Sequence, residues 1–285
     1  MANLKEIRNR IASVSSTMQI TSAMKMVSAA KLKKAQDAIT AMRPYSDTLT
    51  DLLQSLSGSI ESSDASKYAA VRGEDKILLV AITSNRGLCG AFNTNVIKQA
   101  QSLAKGAYAG KAVSVMAVGK KSADILGKDF PLVSNESAIY EDLTFANVSE
   151  IADRLMEDFA TEKFDKIVLI YNKFKNAATQ IVTTEQFLPI VPVVGAAAES
   201  DYIFEPGKAE IVSELVPKAL KTQLFKGIRD SFASEHGARM TAMHKATDNA
   251  TDLRDQLKLT YNKARQAAIT NEILEIVGGA EALND

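Results

Sequence analysis

Few residues here have the types and spacing that could do chemistry, and most of them fall in one turn. The stretch TSNRGLCGAFN at 83–93 follows an apolar run and opens a helical pattern, as phosphate-cradling loops do. It fits neither G-x-G-x-x-G nor G-x-x-x-x-G-K-[ST]: Gly87 and Gly90 are three apart and no lysine follows. The residues alone therefore favour a tight turn that needs glycine dihedrals, with a nucleotide site as the alternative. Cys89 in this turn could be a thiol activated at a helix N-terminus, but no histidine is near it in sequence, which favours a small buried side chain. His236 and His244 are eight residues apart on a helical pattern, about 12 Å, too far to share one metal ion without further ligands. Neither catalytic, cofactor nor metal residues are assigned.

Charge gives a second kind of candidate. The chain has 34 basic and 34 acidic side chains over 285 residues, so the total does not point to nucleic acid. The balance is uneven: residues 1–43 carry eight basic and two acidic side chains, and the segment 44–212 is acidic. The run Lys31, Lys33 and Lys34, with Lys25 and Arg43, is either a solvated helix face or a surface for an acidic partner, and the imbalance favours the partner. The single cysteine excludes an internal disulfide and fits a reducing compartment. No run of 18 apolar residues occurs and the N-terminus lacks a signal-peptide core, so the expectation is a soluble protein or one held at a membrane through another protein.

The elements that must position these residues begin with two long helices. In 239–283 a seam of Met243, Ala246, Ala250, Leu253, Leu257, Thr260, Ala264, Ala267, Asn271 and Leu274 steps by three and four, which predicts a coiled-coil helix with an alanine-rich, closely approachable face. Its partner is predicted at 3–57, where Leu4, Ile7, Ile11, Val14 and Met18 make a stripe that resumes out of phase at Ile20, Met24 and Val27, like a stutter. Pro44 could kink that helix or begin another. The C-terminal helix is predicted from Ser213, with Pro217 in its first turn and Gly227 and Gly237 as weak points. The methionines at 18, 24, 26, 42, 240 and 243 read as packing residues near the seams.

Between the helices the period changes. Residues 57–74 read as a loop or poorly ordered linker. Strands are predicted at 76–83, 113–118, 166–171 and 179–188, with helices at 92–105, 120–127 and 148–162, and a possible edge strand at 202–205. Alternating strands and helices imply a mostly parallel sheet. The predicted fold is thus an antiparallel coiled coil of residues 1–57 and 213–285 flanking a Rossmann-like α/β domain at 75–208.

Three motifs in this order carry a resemblance to a known family. Ile7-Arg-x-Arg-Ile-x-Ser-Val14 with TMQITSAMKMV at 17–27, the turn RGLCGAFN at 86–93, and the C-terminal Ala250, Tyr261, Asn262, Ala264 to Ala267, Ile269, Thr270, Glu272 and EIVGGA at 275–280 resemble the gamma subunit of F-type ATP synthases. The resemblance implies a non-catalytic central rotor shaft without cofactor. Its coil would turn inside a ring of three alpha and three beta subunits, while its α/β domain meets the epsilon subunit and the membrane c-ring. It further implies that Arg265, Gln266 and Thr270 meet a beta-subunit loop, that Met24 and Lys25 lie near an acidic beta region, and that the end from Ile273 through Leu274, Ile276 and Val277 to Leu283 occupies an apolar bearing. Lys31, Lys33 and Lys34 are expected to add to the acidic contact, and the location implied is the cytoplasmic face of a bacterial inner membrane. Asn85, Ser28 and Gly237 depart from the family's usual aspartate, alanine and better helix former, and the two-cysteine redox insert of chloroplast relatives is absent. The competing readings are a nucleotide-dependent α/β enzyme with a coiled-coil dimerisation stalk and a coiled-coil scaffold for another assembly.

Overall fold

The structure, a computed structural model, describes residues 4–56, 66–190 and 207–281. Chain contacts divide it into two compact units, one of residues 28–239 and one of residues 1–27 with 240–285.

The larger unit is built on strand β1, Lys76–Ile82, in which every residue after Lys76 is buried. Such a run, apolar on both faces, belongs at the centre of a parallel sheet. Helix α3 (Phe92–Lys105), strand β2 (Ala112–Val118), helix α4 (Lys120–Asp129), strand β3 (Leu132–Asn135), helix α5 (Phe145–Ala160), and strands β4 (Lys166–Phe174) and β5 (Gln180–Leu188) follow. The order is β3-β2-β1-β4-β5, with β5 alone antiparallel. Alternate residues of β1 serve opposite layers. Ile77, Leu79 and Ala81 pack with Val96, Ile97 and Ala100 of α3, and with Leu126 of α4. Leu78, Val80 and Ile82 pack with Ile151, Leu155 and Phe159 of α5 and with the start of the last helix, α6 (Lys208–Glu281). Along α6, Val212, Val216, Leu220, Leu224 and Ile228 recur every four residues and give it one face for the sheet.

Some expectations are corrected. Strand β3 was not anticipated, because four residues carry no readable alternation. The segment before β1 is more than a linker. Helix α2, Ser66–Ala69, is tied by Ile190 N–H to the Tyr68 carbonyl at 2.9 Å, and Arg72 lies over the Phe159 ring and donates to the Phe159 carbonyl at 2.7 Å. Helix α1, Leu4–Leu56, runs through Pro44 as one element. Helix α6 begins five residues before Ser213, which puts Pro217 inside it. The possible strand at 202–205 lies outside the described residues.

The two glycines of α6 differ. A methyl group at Gly227 would meet the Tyr171 ring at 3.6 Å, an ordinary contact, whereas at Gly237 it would press on the Ala177 Cα and carbonyl oxygen at 3.2 Å. Gly237 is therefore explained by a backbone crossing rather than by a weak helix. Gly227→Ala should stabilise the protein by about 1 kcal/mol through helix propensity. Gly237→Ala should give no gain, since the crossing offsets it. Urea denaturation of the two variants checks this; equal gains would contradict it.

The smaller unit is an antiparallel helix pair. Arg8 donates to the Tyr261 hydroxyl at 2.7 Å, Thr21 and Thr247 share a hydroxyl hydrogen bond of 2.8 Å, and Thr251 donates to the Met18 sulfur at 3.4 Å. These contacts correct the expected stutter. Thr21 is buried in phase with Ile7, while Ile20, Met26 and Val27 are exposed; on the α1 part of the larger unit, Ser28 and Leu32 are buried in that same helical phase. The heptad is continuous; small hydroxyl side chains fill positions where apolar ones were sought. On α6 the seam likewise passes through Ala250, Arg254, Leu257 and Tyr261 rather than Leu253 and Thr260. Ala267, Asn271 and Leu274 are exposed, so the paired seam ends before them.

Candidate functional site

The turn at 83–93 leaves the carboxyl end of β1, where open α/β sheets bind ligands. Its backbone is sharply bent, with Leu88 at φ 61° and Gly90 at φ 59°. Ser84 organises it: Ser84 N–H donates to Asn93 Oδ1 at 2.9 Å and Ser84 Oγ donates to the Arg86 carbonyl at 2.6 Å. Asn85 Oδ1 accepts from Lys120 N–H at 3.0 Å while its Nδ2 donates to the Ser137 carbonyl at 2.8 Å. The departure to asparagine thus supplies a donor that a carboxylate lacks. Cys89 is buried beside Phe92 and Ala238, and burial raises its thiol pKa, so it stays protonated.

Helix α6 closes this region. Ser234 Oγ donates to the Asn172 carbonyl at the end of β4, at 2.9 Å. Arg239 donates from Nη2 to the Arg86 and Gly87 carbonyls at 3.1 and 3.2 Å, and from Nη1 to Glu235 Oε1 at 2.6 Å. A phosphate cradle turns N–H groups toward its ligand. Here the turn offers carbonyl oxygens to a guanidinium, and Ser84 N–H and Phe92 N–H are taken by Asn93 Oδ1 and the Cys89 carbonyl.

His236, one residue beyond Glu235, is 5% exposed, meets Phe232 edge-on at 4.6 Å, and has no hydrogen-bond partner on either ring nitrogen among the described residues. Burial, with Arg239 and Lys31 adding repulsion, lowers its pKa to about 4, so it is neutral at pH 7. His244 is exposed and 3.4 Å from Asp248. No group of three or more histidine, cysteine or acidic side chains able to hold a metal occurs among the described residues. The sequence reading missed Glu235 and Arg239, because two opposite charges one helical turn apart usually mark a solvated face; the available signal was their placement among small residues in SEHGAR.

The polar candidates lie on both units. Arg265, Gln266 and Thr270 are exposed on α6 in the hairpin unit, with the Thr270 hydroxyl donating to the Gln266 carbonyl at 2.9 Å. Met24 and Lys25 are half-buried on α1 of the same unit. The register set by Arg8 with Tyr261 and Thr21 with Thr247 separates these two groups by about 30 Å along the pair. Lys31, Lys33 and Lys34 are exposed on the α1 part of the larger unit, and Lys33 meets Asp37 at 3.8 Å, a surface pair worth little. Beyond the paired seam, Ile269, Ile273, Leu274, Ile276 and Val277 are all exposed on α6, Ile276 by 71%. Leu283 lies outside the described residues.

Among the described residues no helix is long and apolar enough to cross a membrane. A Rossmann-like sheet closed by its own C-terminal helix, together with an antiparallel helix pair and an uncovered apolar helix end, defines a coiled-coil subunit of a larger assembly. The solved structures agree on the fold. The chain is 26% identical to a chain in the central stalk and c-ring structure of the Tetrahymena thermophila mitochondrial ATP synthase, covering 80% of this chain and 99% of that one with TM-score 0.60. It matches a chain of the Euglena gracilis mitochondrial ATP synthase with TM-score 0.71 at 23% identity, over 98% of this chain and 94% of that one. A family model described as ATP synthase matches residues 3–283. The ATP synthase gamma chains of Flavobacterium johnsoniae and Flavobacterium psychrophilum are 70% and 68% identical, over 100% and 99% of both chains respectively. The chain belongs to the ATP synthase gamma chain family.

Proposed function

We propose that this chain is the non-catalytic rotor shaft of a rotary F-type ATP synthase. It couples ion flow through the c-ring to conformational change at the beta-subunit catalytic sites. Its partners are the alpha and beta subunits, the epsilon subunit and the c-ring, and it works peripherally at the cytoplasmic face of a bacterial inner membrane. Residues 1–57 and 213–285 form the shaft and 75–208 the domain that meets epsilon and the ring.

The observation that carries this reading is the end of α6. Five large apolar side chains exposed on one broad side of α6, within an arc of about 160°, are a surface that a partner must cover. A bearing lined by apolar residues covers that side without fixed polar bonds. An asymmetric shaft among equivalent sites contacts them unequally, so turning it passes each site through successive states. The engagement of the Arg86 and Gly87 carbonyls by Arg239 supports the non-catalytic role. Arg265, Gln266 and Thr270 are assigned to a beta-subunit loop, and Met24, Lys25, Lys31, Lys33 and Lys34 to acidic beta surfaces.

The test is co-purification with alpha and beta subunits, expected to yield one copy of this chain per three of each. Failure to assemble contradicts the rotor reading. Titration of the chain alone with ATP and Mg²⁺ should give no binding isotherm; a saturable one would favour a nucleotide-dependent enzyme. Reversing Lys33 and Lys34 to glutamate should lower ATP-driven pumping several-fold while folding is unchanged, since both are exposed. Undiminished pumping removes the electrostatic assignment.

A further inference from the structure

As the rotor shaft, the chain must pass torque between the α/β unit and α6; the apolar face of α6 keeps its early turns against the sheet, and directional bonds add angular stiffness where that stripe has ended, beyond Ile228. The directional contacts holding α6 to this unit are therefore the ones to search. Gln223 donates to Glu185 at 2.7 Å, Arg229 to the Leu143 carbonyl at 2.8 Å, and Ser234 to the Asn172 carbonyl at 2.9 Å. The last is Arg239, which is also the last residue of α6 in the unit.

Arg239 differs from the others in being held from both sides. Its Nη1 is fixed by Glu235 one turn earlier, which leaves Nε and Nη2 to address the Gly87 carbonyl at 3.4 and 3.2 Å and Nη2 also to reach the Arg86 carbonyl at 3.1 Å. Both side chains are nearly buried, Arg239 at 9% and Glu235 at 10% exposure, so water competes little for these bonds. A planar guanidinium with one edge anchored cannot swing without breaking several bonds together. The receiving turn is itself rigid, pinned by Ser84 to Asn93 and by Asn85 to both Lys120 and Ser137. Two residues back, the Gly237 backbone lies against Ala177.

We propose that Arg239, oriented by Glu235, is a positioning residue that locks the rotational phase of α6 to the turn at Arg86 and Gly87 and so transmits torque between the α/β unit and the shaft. This rests on the rotor reading, and its failure is separable from failure of that reading.

The experiment uses the complete complex. With the alpha–beta ring immobilised and stalled by nucleotide, the angular fluctuation of a bead carried on the α/β unit reports torsional stiffness. The double variant Glu235→Leu/Arg239→Met removes the pair without leaving one charge buried alone. It should widen the angular variance at least about twofold and lower protons pumped per ATP hydrolysed, with little change in hydrolysis by the detached catalytic sector. Arg239→Lys, which keeps a partner for Glu235 but cannot span both carbonyls, should widen the variance less and serves if the double variant does not assemble. Unchanged variance and coupling in an assembled variant overturn the lock and leave the rotor reading standing. Failure of the unaltered chain to assemble overturns the rotor reading itself.

Discussion

Gly119→Ala is expected to destabilise the larger unit by about 4 kcal/mol, combining a backbone penalty of 1–3 with steric overlap of 1–3. Gly119 follows β2 at φ 119°, a conformation that L side chains rarely adopt. A Cβ there would overlap the Thr83 carbonyl oxygen and approach Thr83 Oγ1 to 2.9 Å. Thr83 cannot retreat, because its N–H donates to the Val118 carbonyl at 2.8 Å, its hydroxyl is paired with Ser122 at 2.9 Å, and its carbonyl accepts from Tyr140 at 2.8 Å. The overlap thus falls on backbone at the carboxyl ends of β1 and β2, beside the turn that receives Arg239. Chemical denaturation measures the loss; a change below about 1 kcal/mol would show that this knot yields.

The second large effect is on acid stability, through His236. An unfolded histidine titrates near 6.5 and this one near 4 when folded. Between those values the unfolded chain binds the proton and the folded chain does not, so stability falls as pH falls through the window. The full difference is roughly 3 kcal/mol at 1.36 kcal/mol per unit. The groups facing it are the cations Lys31 and Arg239, which depress it, and Glu235 nearby. Burial raises the carboxyls of Glu235 and of Asp230, which take up protons on folding and oppose the effect as pH falls. The contribution of His236 is therefore isolated as a difference. His236→Phe, which keeps a ring against Phe232, should lose less stability than the unaltered chain between pH 6.5 and 4. Parallel pH profiles would contradict the assignment.

The sequence made legible whatever periodicity encodes. Strand β1 announced itself as a run buried on both faces, and α3 was placed at Phe92–Lys105 as the helix that opens after the turn. Polar residues that behave as core were misread. Thr21 occupies a seam position because a small hydroxyl can satisfy itself on its own helix, as it does with the Met18 carbonyl at 3.1 Å, and still fit a close helix pair, and Ser28 is buried in the same phase of α1. Their polarity suggested a stutter that the packing does not contain. Glu235 and Arg239 were passed over for the same reason, since mutual pairing is visible only once the turn that receives them is in place. The exposed apolar end of α6 is the reverse case: Leu274 was assigned to a seam because apolar spacing implies a partner helix, yet it is 63% exposed. Spacing identifies a face that must be covered; it does not say whether this chain covers it.

The most direct measurement attaches a bead to the α/β unit of this chain, assembled with immobilised alpha and beta subunits, and follows it during ATP hydrolysis. Sustained one-way rotation is expected, with dwells repeating three times per turn, once for each of the three beta sites the shaft must serve. Hydrolysis at full rate with the bead fluctuating about a fixed angle would contradict it.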